Sequence, residues 1–326
     1  MGPGNMISKD DKRDLDPAST MPGEAIDEEE SLRLARKLRA EDEALRQQDE
    51  DLVHTTALLR VKLGDSYMGR GNASRAIGEY KQAVKMEARN PRFLTRLADA
   101  YLYMDRISQA LSHYRQAIAA DPNCTEARVS LGDLYQRFGM FTEALAQYRA
   151  AVHTEPSRAY YHFKLANLFL TTDRLPEAVV EMRITTSLAS GDAFYHFRLG
   201  DIFLRTGSLD EAVAEFRQAS GLAPFDDYYL VRTATALLAC GQAHEAVSVL
   251  RQALQLQPGN QAYLLLLADA YASAGMKTHA TNLRRRVGTP DGYDLAFLLR
   301  RRAEWGQDAT SIDPALPPVQ PSSLPD

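Results

Sequence analysis

From residue 57 onwards, apolar positions fall at spacings of three, four and seven, which puts them on one face of an α-helix. The whole pattern then recurs every 34 residues, from Ala57 to about Asp294, in seven copies without insertion. A small residue marks each copy: Ala76, Ala110, Ala144, Ala178, Ala212, Ala246 and Ala280. Thirteen residues earlier stands an apolar–small step, such as Leu63-Gly64, Leu131-Gly132 and Leu199-Gly200. An aromatic usually follows three residues after the small one (Tyr67, Tyr101, Tyr135, Phe169, Phe203), and another follows four residues after the marker alanine (Tyr80, Tyr114, Tyr148, Phe216). Each copy therefore predicts two amphipathic helices, with small residues letting the backbones approach and aromatics filling the space between. A period of this length means a stacked array, in which each unit touches only its neighbours.

The punctuation agrees. Gly71, Gly139, Gly207, Gly241 and Gly275 fall between the two helices of their copies, where a left-handed residue ends a helix. Asp105 and Asp173 hold the same place in the second and fourth copies. Pro122, Pro156, Pro224 and Pro258 are expected to stop second helices, and Pro176 to sit in the first turn of one.

These residues resemble the tetratricopeptide repeat family, and the segment LGDLYQRFGMFTEALAQYRAAVHTEP (Leu131 to Pro156) follows its pattern almost residue for residue. The resemblance implies an all-α, right-handed superhelical solenoid of seven helix-turn-helix repeats, with a long N-terminal helix and a C-terminal capping helix. The expected divisions are a disordered 1–24, a charged N-terminal helix over 25–56 and the seven repeats over 57–290. A capping helix over 291–306 and a disordered proline-rich tail over 307–326 follow. The fourth residue of each copy departs from the family's usual aromatic; it is Arg60, Leu94, Arg128, His162, His196, Leu230 or Leu264. The first and fourth copies carry Ala88 and Ser190 in place of the closing proline. The seventh copy has Lys277, Arg284 and Arg285 where apolar residues are common, as befits a terminal unit that packs on one side.

The flanks add charge. Residues 1–56 carry 8 basic and 15 acidic side chains, a balance of −7, and the remaining 30 basic and 28 acidic give +2. A nearly neutral array lacks the basic stripe of a nucleic-acid binder. Leu38, Leu45, Leu52 and Leu59 recur every seven residues, but the accompanying positions are Ala35, Asp42, Asp49 and Thr56. That thin stripe suits either a charged helix that caps or leads into the first repeat, or a dimerisation or docking helix. Near the C-terminus, Tyr293, Ala296, Phe297, Leu299 and Arg300 keep helical spacing, with Leu295 and Leu298 widening the face. This helix is expected to cover the open end of the last repeat, with Trp305 packed there. Arg284-Arg285-Arg286 and Arg300-Arg301-Arg302 are expected as solvated helix ends. The tail holds Pro314, Pro317, Pro318, Pro321 and Pro325, the makings of an extended ligand.

Candidate chemistry is sparse. No phosphate-cradling loop, GxSxG, HExxH or CxxC occurs, so no enzyme and no cofactor or metal is expected. His162 and His196 stand in register, expected as packed side chains rather than ligands. Cys124 and Cys240, far apart, make no disulfide framework and fit a reducing compartment; no apolar run reaches membrane-spanning length, and the expected location is cytoplasmic.

In the family, the second, fifth, ninth and twelfth residues of each repeat look into a concave groove. In copies four to six that places Tyr160, Phe163, Phe194, Phe197, Tyr228 and Val231 on consecutive first helices, an apolar set that marks an interaction site or packs neighbouring helices. Lys164, Arg198 and Arg232 at the sixth residue and Asp201 at the ninth add charge, either as a ladder between repeats or as contacts for a partner. The family's chaperone-tail clamp wants Lys at the fifth residue and Asn at the ninth; no fifth residue here is basic, and only Asn167 matches. The expected function is a non-catalytic scaffold or adaptor that takes a partner peptide or helix in the groove. The alternative is a structural subunit of a larger complex, docking through its N-terminal helix or array ends. Nucleic acid and direct membrane insertion are not expected.

Overall fold

The computed structural model describes residues 28–287 and 292–304, and within them there are fifteen α-helices. The expectations for the two chain ends, the tail ligand and Trp305 among them, lie outside the described residues. α1 (Glu28–Gly69) leads into α2 (Ala73–Met86), and these close the first repeat. Five repeats follow with first helices α3 (Pro91–Tyr103), α5 (Thr125–Arg137), α7 (Ala159–Thr171), α9 (Ala193–Thr206) and α11 (Asp227–Ala239). Their second helices are α4 (Ile107–Ala120), α6 (Phe141–Thr154), α8 (Leu175–Leu188), α10 (Leu209–Leu222) and α12 (Ala243–Leu256). α13 (Gln261–Ser273) and α14 (Lys277–Arg286) form the seventh repeat, and α15 (Gly292–Glu304) ends the described chain. From α1 to α14 each helix packs on the next in order, and first helices of neighbouring repeats touch, so the chain is an all-α solenoid.

The pairing of small residue and aromatic sets the distance between helices. A Cβ at Gly132 would lie 2.6 Å from the Tyr148 ring, and one at Gly200 2.8 Å from Phe216. Tyr80, Tyr114, Tyr148 and Phe216 are almost wholly buried in these notches. The turns are left-handed where expected: Asp105 and Asp173 adopt positive φ along with the five turn glycines. The two aspartates are also held from the next repeat, by Arg137 at 3.6 Å and Arg205 at 3.3 Å. Proline proves dispensable for stopping second helices. α2 and α8 end at Met86 and Leu188, the same place in the repeat as helices followed by proline, because the next helix must start in register.

The extension and the first helix of the first repeat form one continuous rod. Its outer part, residues 36–55, is exposed throughout, and Leu38, Leu45, Leu52 and Leu59 all face solvent. The rod joins the array near His54, which meets Glu87 at 2.6 Å, and at fully buried Ala57.

Candidate interaction groove

The first helices present a ladder of charge that runs between repeats. Lys164 Nζ donates to Asp133 of the preceding repeat at 2.8 Å, Arg96 lies 4.0 Å from Asp65, and Arg232 bonds Asp201. Each partnership joins the sixth residue of one repeat to the ninth of the one before. The same carboxylates are held from within their repeats: the Tyr80 hydroxyl donates to Asp65 at 2.7 Å, Tyr114 donates to Asp99, and Tyr148 to Asp133. Burial and the neighbouring carboxylates push these phenols well above their ordinary range, so they stay protonated donors. In the seventh repeat Arg284 stands in the tyrosine's place and donates to Asp269 at 2.8 Å.

The aromatic run is packed in tilted and T-shaped ring contacts along the same helices. Phe163 meets Phe194 and Tyr195 of the next repeat, with ring centroids 5.5 and 5.3 Å apart. Phe197 meets Tyr228 and Tyr229 in the same way. The rings therefore stack neighbouring first helices, and only the second-residue side chains keep a large free face. Tyr160 is 43%, Phe194 42% and Tyr228 38% exposed. Phe163, Lys164, Arg198 and Asp201 are half-buried. Phe197 is buried, Val231 is completely enclosed, and Arg232 is only 4% exposed, so these three do not reach the surface where the sequence pattern placed them. The physical reason is tight stacking: a fifth-residue side chain points at the seam between first helices, and a sixth-residue arginine is drawn inward by its carboxylates.

His162 and His196 serve the repeat rather than a ligand. His162 lies 2.7 Å from Glu181 on α8 and 3.0 Å from the Pro156 carbonyl; His196 repeats this with Glu215 and Ser190. Arg128 makes the equivalent bonds, to the Pro122 carbonyl and Gln147. In repeats three, four and five the fourth residue is thus a polar strut between the preceding loop and the second helix, in place of an aromatic. Among the described residues no group of three or more histidine, cysteine or acidic side chains could hold a metal ion.

α15 lies along the groove itself. It packs on α13 and α11, the first helices of the last two repeats. Phe297 sits between Tyr228 and Tyr263, and Leu298 is fully buried. Arg302 grips the enclosed Asp269 carboxylate with two bonds of 2.7 and 3.0 Å, and Glu304 pairs with Arg232. Arg301 and Arg302 are each 6% exposed, contrary to their expected place on a solvated helix end. The sequence reading missed Arg302 and Glu304 as groove contacts. The signal was the ninth-residue column: other aspartates in it take a cation from the following repeat, and among the described residues α15 is the element that follows Asp269 and its repeat.

Stacked first helices joined by charge and aromatic contacts between repeats define a helical repeat solenoid. Three models of the tetratricopeptide repeat match the chain, one over residues 102–168, one over 226–270 and one over 61–102 and 184–227. The chain belongs to the tetratricopeptide repeat family, whose repeats are protein-interaction modules. The fold is similar to that of a structure from Pseudomonas aeruginosa described as a functional characterisation of pilF. That match has TM-score 0.54 and 17% identity, covering 69% of this chain and 99% of the other. A tetratricopeptide repeat protein from Parabacteroides merdae matches with TM-score 0.50 and 14% identity, over 75% and 98% of the two chains. No curated protein matches the chain. No helix among the described residues is long and apolar enough to cross a membrane.

Proposed function

We propose that this chain is a non-catalytic scaffold that binds a partner peptide or helix on its concave face at repeats four to six. The observation that carries this is the exposure of Tyr160, Phe194 and Tyr228 in one register on three successive first helices. Large, rigid aromatic side chains supply contact area at little entropic cost, which is why they anchor interfaces. The seating of Phe297 against Tyr228 supports the reading, because it is a helix of this chain meeting the same column. The two unpaired thiols, Cys124 and Cys240, fit a cytoplasmic setting.

The test replaces Tyr160 and Phe194 with alanine and measures recovery of partners from the native cell beside a thermal melt. Exposed rings should be lost with little change in stability, while partner recovery falls about tenfold or more. Undiminished recovery would rule the groove out. Phe197→Ala is the wrong probe, since removing a buried ring opens a cavity.

A second reading has its own support. The exposed leucines of α1 fit a docking helix in a larger assembly.

A further inference from the structure

We propose that the break in the charge ladder between repeats four and five receives a carboxylate side chain of the partner peptide, so that the groove selects an acidic segment. This rests on the groove reading above and names its ligand chemistry.

The ninth residue is aspartate in repeats one, two, three, five and seven, but Asn167 in repeat four. Arg198, the sixth residue of repeat five, therefore meets a neutral amide: its Nη2 donates to Asn167 Oδ1 at 3.1 Å. Its Nε is enclosed without a hydrogen-bond partner, but so is that of Arg232, which holds two carboxylates; what sets Arg198 apart is that its rung supplies no carboxylate. The rungs on either side are complete, Lys164 on Asp133 and Arg232 on Asp201. A guanidinium that meets only a neutral amide lacks a charge partner, and a carboxylate is the group whose two oxygens fit its fork.

The surroundings fit the same ligand. A cavity of about 560 Å³ opens at this rung, lined by Gln136, Lys164, Asn167, Thr171, Arg198 and Arg205 among others, and none of its lining residues is acidic. A second cavity shares Arg198 and Arg205 and reaches α15, where Arg232, Arg300 and Arg301 line it together with the carboxylates of Asp201 and Glu304. There the groove already receives a carboxylate from a helix lying in it: Glu304 of α15 bonds Arg232, one rung along. Arg198 offers the corresponding place one repeat earlier. Tyr160 and Phe194 stand four residues before Lys164 and Arg198 on their helices, one turn along the same face, and are exposed, which favours a peptide with apolar side chains near the acid over a free anion.

The experiment pans a phage-displayed library of random short peptides against the full chain and against its Asn167→Asp variant. The strongest binder is then synthesised and titrated calorimetrically. Wild-type binders should be enriched in Asp and Glu. The synthetic peptide should lose about tenfold or more in affinity for Asn167→Asp, where the ladder supplies its own carboxylate, and for Arg198→Ala. Asn167→Asp should melt no lower than wild type, which separates lost recognition from lost fold. Binders without acidic residues, or indifferent to Asn167→Asp, overturn the carboxylate site. If such binders still depend on Tyr160 and Phe194, the groove reading survives that failure. Binders indifferent to both aromatics, or no enrichment at all, overturn both. Inorganic phosphate displacing the peptide at equal concentration would show a simple anion site and overturn selection of an acidic peptide.

Discussion

Asp99 shows what a broken rung does to a single residue. Its carboxylate accepts from Tyr114, but the following repeat offers Ser130 where all the others except the seventh, with Leu266, offer Lys or Arg. Burial holds its carboxyl above the usual range, with the Tyr114 bond and the Arg96 charge opposing. A carboxyl raised in the folded state binds its proton more tightly there than in the unfolded chain. Ionised Asp99 therefore costs stability at neutral pH, and the cost disappears as pH falls through the raised value toward ordinary carboxylate titration near about 4. Ser130→Arg should complete the rung. Because the site is partly exposed, the gain at neutral pH should be about 0.5–1 kcal/mol, or roughly 1–4 °C in Tm. Paired melts of variant and wild type at neutral pH and near pH 4 check this; the difference should shrink in acid. The aspartate column was plain in the sequence. Its partners were not, since they come from a repeat whose position depends on how the units stack.

Among the elements, α15 is the one whose existence was legible and whose place was not. Its apolar spacing predicted an amphipathic helix that covers the end of the array. The outer face of α14, however, carries exposed Lys277, Arg285 and Arg286 and does not need an apolar cover. The groove at repeats six and seven does, since Asp269 is 1% exposed and Tyr228 and Tyr263 offer a seat for Phe297. Hydropathy sees that Arg301 and Arg302 are charged, and nothing local says that a carboxylate will bury one of them. Arg302→Ala leaves Asp269 with Arg284 alone. Breaking a buried pair by removing one partner costs about 3–5 kcal/mol, and the remaining arginine should reduce this to about 2. In a solenoid that loss stays local. Hydrogen exchange should quicken in α13 and α15 and stay unchanged in α3 to α6. Arg302→Lys should restore only part of the protection, because lysine cannot bridge both carboxylate oxygens.

For the molecule as a whole, the array folds and stacks through its repeats, but α1 projects beyond them with residues 36–55 exposed. A helix segment without tertiary contacts is marginal in water; here it is continuous with a helix the first repeat already holds, which removes the cost of a separate nucleus. That accounts for the rod but not for four leucines spaced by heptads on its surface. Asp42 and Asp49 occupy the positions where a symmetric coiled coil wants apolar side chains, so pairing two copies of this stripe would bring carboxylates together. The assembly reading therefore favours a different chain, with basic residues opposite those aspartates. Replacing Leu45 and Leu52 with serine separates the alternatives. Both side chains are exposed, so the melt should move by no more than about 0.5 kcal/mol equivalent. If α1 docks the protein into a complex, co-purified subunits should dissociate while peptides bound in the groove are retained. A variant that keeps its native assembly would leave α1 as a charged lead-in to the first repeat, and the groove as the surface on which partners act.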